Sequence, residues 1–308
     1  MKKFLITHTD LDGISPIILL KLAGVDFNYK TTEIKDLEDF INTFVESDLS
    51  EYDTIYITDL TLTDEMYEKL ITLNKQLLVF DHHQTHLYAN KYPFVTVSVN
   101  LHGRQTCGTE LFYEYLKDIY KDLNRENVQE YVKYVRELDT FNFTSDLPKH
   151  LDTIKETIGA NDFIKTMVKR LSKDKPFTLT AFEQRFIKLK CQELERYLQK
   201  KEKDMQAFII DGKKCAVCFA ETNKSILGNY ISTKYPEYDL VILIDASSRI
   251  SYRTARDDVD LCEFVSNYGG GGHRLASGSK FDNEDRTNII KSYYKDVKEI
   301  EKNKIYID

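Results

Sequence analysis

Long apolar runs, paired cysteines and an excess of basic charge are all missing from this 308-residue chain, and each gap removes a class of protein. No uninterrupted apolar segment reaches the roughly 20 residues that span a bilayer, and the opening MKKFLITHTD meets charged and polar residues too early for a secretory signal. No membrane partner is expected, and a cytoplasmic location is. The five cysteines, Cys107, Cys191, Cys215, Cys218 and Cys262, are odd in number and scattered, which argues against a disulfide framework. Cys215 and Cys218 have C-x-x-C spacing, but KKCAVCF reads as a strand, no second pair completes a zinc site, and no helix N-terminus follows to activate a thiolate. A net charge of -7 argues against coating long duplex nucleic acid, which takes many Lys or Arg contacts to phosphate. A small or short substrate fits better, and four of those negative charges belong to aspartates read below as cation ligands. Internal repeats and low-complexity tracts are absent as well.

What is present is enough apolar sequence, 42%, for two domains. The first half alternates short β-type runs with amphipathic helical stretches: KFLITH, ISPIILLKLAG, VDFNYKT, DLEDFINTF, TIYITDL, DEMYEKLITLN, QLLVFDHH and FVTVSVN. FLIT, IYIT and LLVF are continuously apolar, as strands are when both faces are buried. An α/β fold follows, with a mostly parallel, doubly wound N-terminal sheet over residues 1–150. A polar, helix-rich connector over 151–205 ends in the charge run QKKEKD. From Gln206 a second, smaller α/β domain (206–308) opens with AFIID and KCAVCFA and closes with ASGSKF and a final helix.

Three N-terminal strands end in the same kind of chemistry. FLITHTDLDG supplies His8, Asp10 and Asp12, IYITDLT supplies Asp59, and LLVFDHHQT supplies Asp81, His82 and His83. In open parallel sheets the carboxyl ends of the strands line one crevice, so these residues converge. If the extended conformation persists past FLIT, the spacing of two puts His8, Asp10 and Asp12 on one side, with Gly13 permitting a tight departure into a helix. Crowded carboxylates repel one another, and a bound cation is the usual compensation. Mixed Asp oxygen and His nitrogen donors suit Mn²⁺ best, with Mg²⁺, Co²⁺, Fe²⁺ or Zn²⁺ as alternatives. A lone Asp after a strand is more often a helix cap or turn residue, but three such strand ends, two carrying His, exceed that reading.

These residues resemble the DHH phosphoesterase family, in which an H-x-D-x-D element, a strand-end Asp, the namesake Asp-His-His and a later Asp hold two Mn²⁺ ions. The resemblance implies that His8, Asp10 and Asp59 hold one cation, and that Asp12, Asp59, His82 and Asp139 of VRELDTF hold the other, with Asp59 bridging. It also implies that His83 faces the substrate phosphate while Asp81 orients an imidazole. From its helix alone, Asp139 would read as a surface carboxylate.

The second domain carries NYGGGGHRLASG. Four consecutive glycines followed by His273 and Arg274 are hard to explain as core packing, and bare backbone amides can approach an anion closely. The segment resembles the GGGH signature of the DHHA1 domain that accompanies many DHH domains, where it binds substrate across the interdomain cleft. That resemblance assigns substrate contacts to Gly270, Gly271, Gly272, His273 and Arg274, and to Arg253 in RISYRTARD, with Arg256 a weaker companion. Arg104 and Thr106 in LHGRQTCGTEL precede a helix N-terminus, a natural anion site, although Thr106 reads equally as the N-cap.

The expected activity is two-metal hydrolysis of short oligonucleotides or linear dinucleotides to mononucleotides, as in the nanoRNase branch of the family, which HTDLDG in particular resembles. A homodimer is compatible with it. Competing readings are a cyclic-dinucleotide phosphodiesterase, a RecJ-like single-strand exonuclease, a type II pyrophosphatase and a non-catalytic nucleotide sensor.

Overall fold

Strands that are apolar on both faces can lie only between two layers, and the N-terminal sequence is built accordingly. In the computed structural model, which describes residues 2–47, 49–281 and 288, the apolar runs of β1 (Lys2–Thr7), β3 (Tyr52–Thr58) and β4 (Gln76–Asp81) form the middle of a five-stranded parallel sheet whose edges are β2 (Phe27–Thr31) and β5 (Val95–Val97). Their order is β2-β1-β3-β4-β5. The connection after β1 runs to β2 on one side and the connection after β3 runs to β4 on the other, so a crevice opens between the carboxyl ends of β1 and β3. One face is covered by α1 (Leu11–Leu22), and the other by α2 (Ile34–Val45) and α3 (Asp64–Ile71). Beyond the short hairpin of β6 (Asn100–Leu101) and β7 (Arg104–Gln105), α4 (Gly108–Ile119), α5 (Glu126–Asp139), α6 (Leu147–Ile158) and α7 (Ala160–Leu171) join the layer of α1.

One helix departs from its sequence reading. ISPIILLKLAG was expected to be amphipathic, yet α1 is buried on every side from Leu11 to Leu20, because the sheet covers one flank while α4, α5 and α7 cover the others.

The chain divides into two compact units, Met1–Ile187 and Lys188–Asp308, and α8 (Ala181–Lys203) runs from one into the other. The second unit is a six-stranded sheet, ordered β12-β13-β11-β10-β9-β8. Its members are β8 (Gln206–Ile210), β9 (Lys213–Phe219), β10 (Leu240–Ile244), β11 (Arg249–Arg253), β12 (Gly271–His273) and β13 (Ala276–Lys280). Among the described residues of this unit only β9 and β10 pair in parallel, joined through α9 (Lys224–Lys234). The helix α10 (Leu261–Ser266) packs with Cys215 on one face, while Cys218 lies in the core on the α9 face. The two thiols of the C-x-x-C pair therefore sit on opposite sides of β9 and share no ligand. The final helix read after ASGSKF lies outside the described residues. Among the described residues, no helix is long and apolar enough to cross a membrane.

Candidate metal centre

The site begins where β1 stops. Thr7 is the last strand residue, Asp10 caps α1, and Asp12 already lies inside the helix. The extended run of His8, Asp10 and Asp12 does not form, because the Asp10 carboxylate accepts the Gly13 N–H at 2.8 Å and starts the helix there. It is the helix start that brings the three side chains to the crevice. Gly13 is indispensable to that start, since a Cβ in its place would sit 2.3 Å from the His8 carbonyl carbon.

Asp12 is gripped by a second helix. The first amides of α4 donate to it, Gly108 N–H to Oδ2 at 2.7 Å and Thr109 N–H to Oδ1 at 2.8 Å, so the positive end of α4 faces a carboxylate. The anion expected near Arg104 and Thr106 is thus the protein's own Asp12. The cap residue is Cys107 rather than Thr106, whose hydroxyl is turned to Glu110 at 2.7 Å. Gly108 was not singled out in the sequence, yet a Cβ there would lie 2.9 Å from the Asp59 Cβ.

Asp59 follows β3 in a left-handed backbone conformation, φ 56°, which for a residue with a side chain stores strain typical of functional sites. The result is a buried carboxylate with an imidazole at each oxygen: Oδ2 is 3.7 Å from His8 Nδ1, and Oδ1 is 3.4 Å from His82 Nε2. His8 also meets Asp10 at 3.0 Å. His82 reaches Asp12 at 3.8 Å and, through its other nitrogen, Asp139 at 3.4 Å. Donor atoms of His8, Asp10 and Asp59 lie within 4.8 Å of one another, and so do those of Asp12, His82 and Asp139.

Asp81 ends β4 fully buried, and its two oxygens meet two imidazoles, His83 Nδ1 at 2.7 Å and His86 Nδ1 at 2.6 Å. Asp81 thus orients a second imidazole, His86, beside the one expected from the sequence. The Leu62 N–H is directed at His86 Nε2 at 3.2 Å, so that nitrogen is the acceptor and the proton sits on Nδ1, donated to Asp81. Tyr67 closes the buried chain with its hydroxyl 2.9 Å from the same Nε2.

The charges are out of balance without a cation. Burial, together with the carboxylates of Asp12, Asp10, Asp81 and Asp139, pushes the Asp59 carboxyl far above the usual range. Burial and then Asp12 and Asp10 push Asp139 up to about 8. Burial would raise Asp81 too, but hydrogen bonds from His83 and His86 outweigh it and hold that carboxyl well below its ordinary value. The hydrogen bond to Asp81 in turn raises the His83 imidazole, and the one to Asp10 raises His8. Two buried atoms at the centre, Asp59 Oδ2 and His82 Nε2, have no hydrogen-bond partner. Orphaned acceptors beside an acidic cluster are costly alone and satisfied together by cations. The donor set, carboxylate oxygens with imidazole nitrogens, is that of a divalent-metal site.

In the second unit the glycine run has a packing account that the sequence reading did not foresee. A Cβ on Gly270 would lie 2.2 Å from Val265 Cγ1, and one on Gly272 2.7 Å from the Ser277 Cα, whereas Gly271 faces open space. Gly271, Gly272 and His273 form the edge strand β12, and His273 and Arg274 are exposed. Arg253 lies across α9, with its Nη2 donating to Ser225 Oγ at 2.9 Å. Gly228 makes room for it, since a Cβ there would meet Arg253 Cγ at 2.5 Å. Arg256 is tied to Asp258 at 2.6 Å.

No family model matches the chain. It is 30% identical over 293 residues to oligoribonuclease NrnB of Bacillus subtilis (strain 168), covering 91% of this chain and 73% of that protein. It is 25% identical over 351 residues to a 3',5'-cyclic-nucleotide phosphodiesterase of Helicobacter pylori (strain ATCC 700392 / 26695), covering 97% of each. Among solved structures it shares its fold with the pGpG-specific phosphodiesterase PggH from Vibrio cholerae, at a TM-score of 0.56 and 16% identity, over 94% of this chain and 97% of that one.

Proposed function

This chain belongs to the DHH/DHHA1 phosphoesterase family, and from that premise we propose that it hydrolyses short oligonucleotides or linear dinucleotides to mononucleotides with two divalent cations, Mn²⁺ foremost. The observation that carries the reading is Asp59, a buried carboxylate with one oxygen turned to His8 and the other to His82. His8 and Asp10 would complete one cation site, and Asp12, His82 and Asp139 the other. When bound, such a pair lowers the pKa of water and stabilises charge developing on phosphorus.

The remaining steps belong to the protein's own groups. Asp81 fixes the His83 ring through Nδ1 and favours its protonated form, the form in which Nε2 can donate to a phosphate oxygen. Arg253 and the segment from Gly270 to Arg274 would bind the substrate, within a domain spanning 206–308. The name of the Bacillus subtilis relative supports an oligoribonucleotide substrate, and that of the Helicobacter pylori relative keeps a cyclic nucleotide as the second reading.

The test is incubation with Mn²⁺ and, separately, pApA, a short RNA, a 3',5'-bisphosphate nucleotide, cyclic di-AMP and pyrophosphate. Mononucleotides released from pApA or RNA are expected, and cleavage of pyrophosphate alone would overturn the reading. Asp59→Asn should lower kcat/KM by at least about a thousandfold, roughly 4 kcal/mol of transition-state stabilisation, and near-normal turnover would refute a bridging role.

A further inference from the structure

The loop directly after Asp139 holds an apolar ring where folding alone has no use for one. Phe141 is 82% exposed and adopts a left-handed backbone conformation, φ 53°, which a residue with a side chain takes only when its surroundings impose it. Those surroundings are on α5. Thr140 N–H donates to the Arg136 carbonyl, Phe141 N–H to that of Leu138, and Asn142 N–H to that of Glu137, at 2.9, 3.2 and 3.1 Å. The Glu137 side chain, itself buried, takes the hydroxyl and the amide of Thr144 at 2.7 and 3.2 Å. Five donors thus fix a loop whose central side chain touches little of the protein. The ring has one aromatic neighbour, Phe143, edge-on at 6.2 Å, and the Lys149 ammonium stands 4.5 Å from the Phe143 ring centre.

An exposed ring on an immobilised loop is preorganised for a flat apolar ligand. Being two residues from Asp139, its Cα lies within about 7 Å of that residue's Cα, the reach at which a nucleoside attached to a phosphate at the metal centre would present its base. We propose that Phe141 is a nucleobase-stacking subsite, with Phe143 bracing the ring and Lys149 adding a cation beside the pair. This deepens the reading of the chain as a phosphodiesterase of short nucleotides and rests on it. Stacking on an aromatic face accepts any base, so the subsite would contribute affinity without sequence preference.

The experiment compares Phe141→Ala and Phe141→Trp with the unaltered protein, using pApA and an abasic dinucleotide of the same length. For pApA, Phe141→Ala should raise KM about tenfold, equivalent to about 1.4 kcal/mol, with kcat changed less than threefold, and Phe141→Trp should restore KM. The abasic substrate should not distinguish the variants. An unchanged KM for pApA, or an equal loss on both substrates, would overturn the subsite. Calorimetric titration with a phosphorothioate-linked dinucleotide separates this from the activity itself. If the unaltered protein binds that ligand but hydrolyses nothing, the phosphodiesterase reading fails while the affinities of the two variants still decide for or against Phe141. If it does not bind, both fall.

Discussion

His86 supports a residue that supports another. Its Nδ1 proton goes to Asp81, whose other oxygen sets the His83 ring, so its effect on chemistry would pass through two hydrogen bonds. Replacing such an outer partner typically costs 10- to 100-fold. Accordingly His86→Phe should lower kcat on pApA by about that factor with little change in KM, while His86→Gln, which can still donate to Asp81, should retain more. A His86→Phe enzyme within twofold of normal kcat would remove His86 from the machinery. Such residues escape sequence reading for a physical reason. Asp59 and Asp81 end strands, and parallel-sheet geometry announces where strand ends meet. His86 sits in a 3-10 turn, Gln84–Lys91, whose burial only the packed structure reveals. Asp139 is intermediate: its helix alone would leave it on the surface, and only the family resemblance put it at the site.

At the scale of elements, two helix starts shape the centre. The spacing of two in H-x-D-x-D invited a strand-like reading, but Asp10 turns the chain into α1, and periodicity gave no sign of where the strand would yield to the cap. The approach of α4 was equally hidden, since nothing local in CGTEL tells that its amides meet Asp12. Two glycines register these approaches. Gly108→Ala places a methyl group 3.1 Å from Asp12 Oδ2, and should weaken cation binding at least tenfold while leaving the far-ultraviolet circular dichroism spectrum unchanged. Gly13→Ala instead meets backbone at 2.3 Å and should destabilise the whole first unit, by about 1 to 3 kcal/mol in the usual range for overpacking. Wild-type metal affinity in Gly108→Ala would show that α4 and Asp12 separate without consequence.

For the whole molecule, a parallel first sheet and a smaller second α/β unit were legible in the alternation of apolar runs, whereas the strand orders and the balance of charge were not, because they depend on which segments pair and which acids are buried together. Asp59 and Asp139 are raised above the ordinary carboxylate value of about 3.9, Asp139 to about 8, so above that ordinary value these two carboxyls hold protons in the metal-free folded chain that they have lost in the unfolded one. The stability they contribute is present in acid and lost as pH rises through their folded values. In chelator, the melting temperature should therefore fall from pH 5 to pH 8, and saturating Mn²⁺ should abolish that slope and add stability, about 2.7 kcal/mol at a hundredfold excess over Kd. Parallel slopes with and without metal, read by calorimetry, would contradict the buried-acid account. The grip of α4 on Asp12 bears on handling as well. Amides that hold the Asp12 carboxylate in place before any ion arrives leave a socket already shaped, so replacing one divalent cation by another through dialysis should need no denatured intermediate.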